Sequence, residues 1–165
     1  MILVRTSLPG LLLAAACRSI PAAALGTPVT AKVLSDLDSE QKSWNRLGLR
    51  DYSFRYQPDC MCRGYGVNYQ VRVSNGEVVS FQQGSEPVNL SSRDLPRPTI
   101  DSLFAWVRDA YARKAAVVRV TYDPQLHFPA NVSIDWNLNV IDDEFSFTVT
   151  DVRPATGGGL PGARQ

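Results

Sequence analysis

The chain is poor in the residues on which most metal sites and catalytic sites depend. Its 165 residues include one histidine, two methionines and three cysteines. The single histidine, His127, lacks the companion ligands of a zinc site. Basic and acidic residues number 17 and 16, and loss of an N-terminal signal containing Arg5 would leave them balanced. A chain without net charge indicates neither a basic surface for nucleic acid nor an acidic tail.

Apolar runs long enough to cross a membrane are also missing. Arg5 precedes an apolar run at residues 8–16, which is far shorter than the roughly 20 residues of a spanning helix. Three alanines then lead into Cys17. A positive residue, a short apolar run and small residues before a cysteine are typical of a lipoprotein export signal. We predict a signal peptide over residues 1–16 and lipidation at Cys17, with a plain secreted protein as the alternative.

The rest of the chain has the length of one domain with a single core. Residues 17–32, rich in alanine and proline, are predicted to be the lipidated cysteine and its tether. Residues 33–152 are predicted to form a single α+β domain. The glycine- and proline-rich residues 153–165 are predicted to be a disordered tail. Export would place the domain on the periplasmic or extracellular face of a membrane, where cysteines oxidise.

Two amphipathic helices are predicted from apolar residues at three- and four-residue spacing. The first covers residues 35–47 and ends at Gly48. The second begins after Thr99 as its N-cap and has Arg113 and Lys114 in its last turn. Its buried stripe is predicted to be Ile100, Leu103, Phe104, Val107 and Tyr111.

Strands are predicted where apolar and polar residues alternate. The six strand segments are residues 52–57, 67–74, 77–82, 117–122, 130–136 and 144–152. The order helix–strand–strand–strand, twice, predicts an α+β fold of order αβββαβββ. In it, an antiparallel sheet of about six strands carries both helices on one face and leaves the other face polar.

The hairpin between the second and third strands is predicted from the positions of its apolar residues. A three-residue loop at residues 74–76 would pair Val71 with Val79 and Tyr69 with Phe81. All the larger apolar residues would then share one face of the sheet. We therefore predict a type I turn followed by a glycine bulge.

Cys60 and Cys62 remain as a pair once Cys17 is lipidated or removed. In an oxidising compartment this pair predicts a disulfide that closes a very small ring. Two alternatives stay open. Two thiolates and the Met61 thioether suit Cu(I), although an extended segment would point Met61 away from both cysteines. A strained disulfide of this kind would also suit thiol–disulfide exchange.

The remaining polar candidates favour no chemistry. His127 is predicted to be a solvated loop residue rather than a general base, because no nucleophile motif accompanies it. Four acidic residues surround one hairpin, and their spacing is not that of a calcium loop. They are predicted to form turns and a solvated face: Asp135, Asp142, Asp143 and Glu144. We therefore predict no catalytic residue, no cofactor and no metal site.

A set of short motifs spans most of the domain. It comprises Trp44, Tyr-Ser-Phe at 52–54, Cys-Met-Cys at 60–62, Val-Arg-Val at 71–73, Pro-Thr-Ile-Asp-Ser-Leu-Phe at 98–104, Val-Thr-Tyr-Asp at 120–123, Pro129, Ile-Asp at 134–135 and Asp-Glu at 143–144. With these motifs, over residues 37–152, the chain resembles a bacterial family of lipoproteins that carry a domain of unknown function. It departs from that family at His127, where the family usually carries glycine. The resemblance implies export and an α+β domain, and it implies no activity.

Function is predicted from localisation and from the lack of catalytic motifs. We expect a non-enzymatic binding or interaction module in the cell envelope, attached to the membrane only through lipid at Cys17. Its partner would be an envelope protein or a surface ligand, not nucleic acid. Its binding surface is expected on the polar face of the sheet, at Arg55, Gln70, Arg72, Ser133 and Asp135. The alternative is a thiol-based redox or copper carrier that uses Cys60-Met61-Cys62.

Overall fold

Two helices and seven strands make up the part of the chain that the structure, a computed structural model, describes: residues 28–60, 66–88 and 98–155. The elements are α1 (Pro28–Arg46), β1 (Tyr52–Cys60), β2 (Tyr69–Ser74), β3 (Glu77–Gln83), β4 (Glu86–Pro87), α2 (Ile100–Ala112), β5 (Val117–Tyr122), β6 (Pro129–Asp135) and β7 (Phe145–Pro154). The predicted signal peptide at 1–16, Cys17, Met61, Cys62 and residues 156–165 of the predicted tail lie outside these ranges. Neither described helix combines the length and the apolar character needed to cross a membrane.

The strands form one antiparallel sheet in the order β4-β3-β2-β1-β7-β6-β5. The α+β prediction is confirmed, with seven strands instead of about six. The additional strand is the two-residue β4, which pairs with the end of β3. Pro87 is tolerated there because an edge strand needs no ladder hydrogen bond from every residue. The first and last long strands, β1 and β7, lie side by side in the middle and join the two halves of the sheet.

The core lies between the two helices and one face of the sheet. Alternate strand residues point to this face, as their period-two pattern predicts. The fully buried side chains of largest volume are Tyr52, Tyr56, Phe54, Phe104, Phe147, Leu37, Ile100, Leu103, Ile134, Val71, Val73 and Val107. In α1, Trp44 packs edge-on against Tyr52, with ring centroids 5.4 Å apart. The two helices are also tied together by Arg108, which donates to Asp38 at 2.6 Å.

The second helix buries its predicted stripe except at one position. Ile100, Leu103, Phe104 and Val107 are buried, and Ala110 is buried where Tyr111 was expected. Tyr111 is half-buried because its hydroxyl reaches out to the carbonyl of Val118, 3.5 Å away. An aromatic ring with a polar tip commonly lies at such a boundary.

Several element boundaries differ from the predictions, and three of them change the interpretation. Helix α1 begins at Pro28, inside the expected tether, because proline suits the first helical turn, where its missing N–H costs nothing. Strand β7 continues to Pro154, so the start of the predicted tail is paired with β1. Helix α2 ends at Ala112, and Arg113 and Lys114 follow it as C-cap and as a left-handed residue with φ 60°.

The predicted loop of the β2–β3 hairpin is wrong. The loop has two residues, Asn75 and Gly76, and Ser74 pairs with Glu77. Both loop residues have positive φ, 52° and 82°, as a type I′ turn requires. This turn matches the twist of the strands better than the predicted type I turn does.

A bulge, instead of a longer loop, brings Val78 and Phe81 to the face of the sheet that carries Val73 and Val71. The register shifts between the pairs Val73–Val78 and Arg72–Ser80, so Val79 has no partner residue on β2. Val79 is 48 % exposed, whereas Phe81, beyond the bulge, is buried. The predicted pairs with Val79 and Phe81 are therefore wrong, although Phe81 does reach the core.

The N-terminus of α2 is fixed by two sets of hydrogen bonds. Thr99 is the N-cap, as predicted: its hydroxyl accepts from the Ser102 amide at 3.1 Å, and the Ser102 hydroxyl accepts from the Thr99 amide at 2.9 Å. The Ile100 amide donates to the hydroxyl of Tyr52 at 3.0 Å. These contacts satisfy amides that a helix cannot satisfy internally, and they anchor α2 to β1.

Candidate functional site

A small aromatic cleft opens between α2 and the adjoining ends of β6 and β7. Its lining residues are Trp106, Asp109, Arg113, Ile134, Trp136 and Phe145. The Trp106 ring meets the Phe145 ring edge-on, with centroids 5.9 Å apart. The cleft volume is about 230 Å³, below the roughly 300–1,000 Å³ of common small-molecule sites. It suits a single inserted side chain better than a whole ligand.

The positively charged side chain of Arg113 lines the cleft and is already paired with neighbouring residues. The guanidinium carbon of Arg113 lies 4.2 Å from the centroid of the Trp136 ring. The same guanidinium is 3.3 Å from the carboxylate of Asp109, one helical turn earlier. Stacking on an indole and pairing with a carboxylate both favour this arginine rotamer. Arg113 therefore holds Trp136 in place as one wall of the cleft.

The loop at residues 137–144, which joins β6 to β7, exposes three aliphatic side chains. Leu138 is 71 % exposed, Val140 47 % and Ile141 86 %. Asn137 shapes the loop, since its carbonyl accepts from the Val140 amide at 2.8 Å. Trp136 and Phe145, which line the cleft, directly precede and follow this loop in the chain. We call Trp106, Trp136, Phe145, Leu138, Val140 and Ile141 together the loop–cleft surface.

Acidic residues border the loop–cleft surface. The same loop contains Asp142, Asp143 and Glu144 and no basic residue. Asp142 and Glu144 are exposed, and Asp142 has a φ of 68°, which suits a turn-forming aspartate. One Asp143 carboxylate oxygen is buried and has no hydrogen-bond partner among the described residues. Asp135, the fourth acidic candidate, points instead to the polar face of the sheet, opposite Val117 on β5.

The five residues expected to form a binding surface fall into two groups on the polar face. Arg55 and Gln70 are directly opposite each other on β1 and β2, and Arg72 lies farther along β2. Ser133 and Asp135 are on β6, with β7 between them and the first group. Arg55 also forms an ion pair with Asp151 at 3.2 Å. The structure thus does not bring the five together.

Across β7, β6 and β5 the polar face carries a row of side chains that bond to one another. Asn131 donates to the Thr121 hydroxyl at 3.1 Å and accepts from the Thr148 hydroxyl, also at 3.1 Å. The row lines a shallow depression of about 360 Å³. Because these groups already satisfy each other, a ligand would gain little from replacing their hydrogen bonds.

His127 is half-buried against α1, where its Nδ1 is within hydrogen-bond distance, 2.8 Å, of the Glu40 carboxylate. Its φ of 66° lies in the left-handed region, where glycine is free of strain. That conformation gives a physical reason for the glycine expected here from the resemblance. The prediction of a solvated loop residue holds only in part, since the turn before β6 packs against α1 and leaves the His127 side chain 36 % exposed.

The cysteine candidates are only partly described. Cys60 is the last residue of β1, and its backbone pairs with Phe145 at the start of β7. Cys62 and Met61 lie outside the described residues, so the disulfide and copper hypotheses stay predictions. Among the residues that are described, no three or more His, Cys, Asp and Glu side chains cluster in a way that could hold a metal.

The loop–cleft surface was missed at the level of sequence. The helical pattern assigns no role to Trp106, since this residue lies beside the buried stripe of α2. The available signal was the sequence Leu-Asn-Val-Ile at residues 138–141, which places aliphatic residues in a turn where polar ones are expected. Exposed aliphatic residues in a loop are a typical sign of an interaction site.

Comparison with known proteins identifies a family and no characterised relative. The profile of a Family of unknown function (DUF6174) matches residues 36–154, which is most of the chain and includes both the cleft and the loop. No curated protein matches. No solved structure matches either.

Proposed function

We propose that this chain, which belongs to the Family of unknown function (DUF6174), is a non-enzymatic binding module of the cell envelope, anchored by lipid at Cys17. The observation that carries the proposal is the exposure of Leu138 and Ile141, at 71 % and 86 %, beside a cleft walled by tryptophan. Full burial of one such side chain is worth about 1.5–3 kcal/mol. Burial of both Leu138 and Ile141 in an interface would contribute substantially to the free energy of binding.

The proposed binding surface differs from the one expected on the polar face of the sheet. Interfaces draw most of their energy from a few aromatic and apolar side chains that become fully desolvated. The loop–cleft surface combines two tryptophans of the cleft with three exposed aliphatic residues of the loop that follows Trp136. The row around Asn131 offers hydroxyls and amides that are already paired. The first surface therefore supports binding better.

A crosslinking experiment in cells tests this proposal. A photoactivatable amino acid replaces Ile141 in the full-length protein, and a second variant carries it at Thr121 on the polar face as a matched exposed control. We expect one discrete adduct from position 141 that position 121 does not give. Leu138→Ser should abolish this adduct and leave the thermal midpoint unchanged, because the side chain contributes little to the core. The proposal fails if position 141 gives no adduct, or the same adducts as position 121.

Lipid anchoring has its own test. We expect labelled palmitate to be incorporated into the full chain and not into the Cys17→Ala variant, which should move from the membrane fraction to the soluble exported fraction. Equal labelling of the two proteins would contradict lipidation at Cys17. Binding through the loop–cleft surface does not depend on this result.

A further inference from the structure

We infer that the occupant of the loop–cleft surface is a cationic protein segment with apolar residues between its basic ones. This inference rests on the proposed function and names the chemistry of the partner. It draws on two features that lie side by side, the apolar cleft with its aliphatic loop and the acidic residues that border both. The apolar part sets where the segment docks, and the charge selects which segment docks.

Within the described loop at residues 137–144, the charged side chains are all acidic. Residues 137–144 contain three acidic residues and no basic residue. In the cleft, Arg113 is paired with Asp109 and lies over the ring of Trp136, the residue before the loop. The charge of Arg113 is therefore compensated by Asp109, and the described loop keeps the negative charge of its own acidic residues. A lysine or arginine of a partner would meet complementary charge beside Asp142 and Glu144.

The same charge argues against the membrane itself as the occupant. Protein surfaces that dock onto membranes combine apolar residues with lysine and arginine, because membrane leaflets carry anionic lipid. Here the aliphatic residues Val140 and Ile141 are followed at once by Asp142, Asp143 and Glu144. Anionic headgroups would be repelled at the point where Ile141 would have to insert. A protein segment with basic residues meets no such repulsion.

The size of the cleft sets how the segment would bind. A volume of about 230 Å³ accepts one aliphatic or aromatic side chain against the wall that Trp106 and Phe145 form together. Neighbouring residues of the segment would then cover Leu138 and Ile141 and bring basic side chains to the edge of the loop. Charges at such an edge mainly raise the association rate and make it sensitive to salt, whereas the apolar anchor sets the dissociation rate.

Short acetylated peptides test the inference directly. One alternates leucine with lysine, a second leucine with glutamine and a third leucine with glutamate. Binding to the purified domain is followed by the indole N–H resonances in ¹⁵N spectra. Trp106 and Trp136 line the cleft, whereas Trp44 is 2 % exposed in the core and serves as an internal control. We expect the lysine peptide to shift the first two resonances, to leave that of Trp44 unchanged, and to bind more tightly than the glutamine and glutamate peptides.

Charge-neutral variants supply the matched control. Asp142→Asn with Glu144→Gln removes two exposed acids from the loop, and Glu77→Gln with Glu86→Gln removes two exposed acids from β3 and β4. We expect the first pair to weaken the lysine peptide about fivefold, chiefly through a slower association, and the second pair to change it less than about twofold. Added salt should abolish the difference.

The outcomes separate this inference from the proposed function. An adduct at position 141 whose partner lacks basic residues at the crosslinked site would overturn the inference and leave the binding function standing. Equal binding of the three peptides, or an equal effect of the two variant pairs, would overturn it as well. Tighter binding to anionic phosphatidylglycerol vesicles than to the lysine peptide would identify a membrane surface instead. No adduct at position 141 would remove the proposed function itself.

Discussion

Replacing Tyr52 with phenylalanine removes a single hydroxyl from the interior and leaves the aromatic ring in place. That hydroxyl accepts the amide proton of Ile100 at 3.0 Å, and both residues are almost completely buried. Without it, the amide has no acceptor and cannot reach water. A buried polar group left without a partner costs about 1–3 kcal/mol. We expect Tyr52→Phe to lower the free energy of unfolding by this amount.

Tyr56 provides the matched comparison two residues along the same strand. Its side chain points to the same core and is as deeply buried, but its hydroxyl has no hydrogen-bond partner among the described residues. Removing a hydroxyl that makes no hydrogen bond relieves a desolvation penalty. We expect Tyr56→Phe to leave stability unchanged or to raise it by about 1 kcal/mol.

Urea unfolding of both variants decides the matter. The midpoint should fall for Tyr52→Phe and should hold or rise for Tyr56→Phe, with the same dependence on urea concentration as the parent protein. A loss of stability in Tyr56→Phe as large as that in Tyr52→Phe would refute the reasoning. It would mean that both hydroxyls are bonded in the folded protein, and that the anchoring of α2 by β1 has no special role.

Three further predictions concern pH, the hairpin and the cysteines. Burial raises the pKa of Tyr52 to about 12 from its ordinary 10. Because the unfolded chain loses this proton first, the free energy of unfolding should fall as the pH rises from 10 towards 12. Alkaline titrations followed by circular dichroism should show a less steep fall for Tyr52→Phe. Gly76 has a φ of 82°, and an added Cβ would meet only the Arg50 side chain, at an ordinary contact distance. Gly76→Ala should therefore lower the free energy of unfolding in urea by about 1–2 kcal/mol through backbone strain alone. An unchanged free energy of unfolding would contradict the type I′ turn. Thiol counting on the protein purified from the exported fraction should find no free thiol at Cys60 and Cys62. Two reactive thiols at these positions would instead support the carrier alternative, as would copper that binds the reduced protein and is lost in Cys60→Ser.

The β2–β3 hairpin shows why some of the fold was not predictable from local patterns. Alternation correctly placed Val71 and Phe81 on one face, because a buried face allows only one phase of the pattern. Either a longer loop or a bulge within the strand can bring these residues to the same face. The choice depends on how the turn meets the α1–β1 loop, where the Gly76 amide donates to the Arg50 carbonyl at 2.9 Å and Ser74 donates to Asp51 at 2.6 Å. The Ser74 bond also lowers the pKa of the Asp51 carboxyl.

Local sequence patterns predict the candidate site even less well than the hairpin. Its members come from α2, from the end of β6, from the following loop and from the start of β7. The local sequence pattern around each residue indicates no binding role. Trp106 is a helix residue beside the buried stripe of α2, and Phe145 is the first residue of a strand. Their proximity depends on the crossing of α2 over β6 and β7, which no local spacing contains.

The sequence by itself determined the elements and their buried faces, since periods of two and of about 3.6 residues follow from backbone geometry alone. It also placed Thr99 as the N-cap, because an unsatisfied helix amide selects a hydroxyl at that position. Only the tertiary structure decided that β1 and β7 meet in the centre of the sheet, that Tyr52 completes the cap of α2, and that two tryptophans lie beside an exposed aliphatic loop. Those contacts join residues far apart in the chain, and they form because burying a shared face stabilises one arrangement over the others.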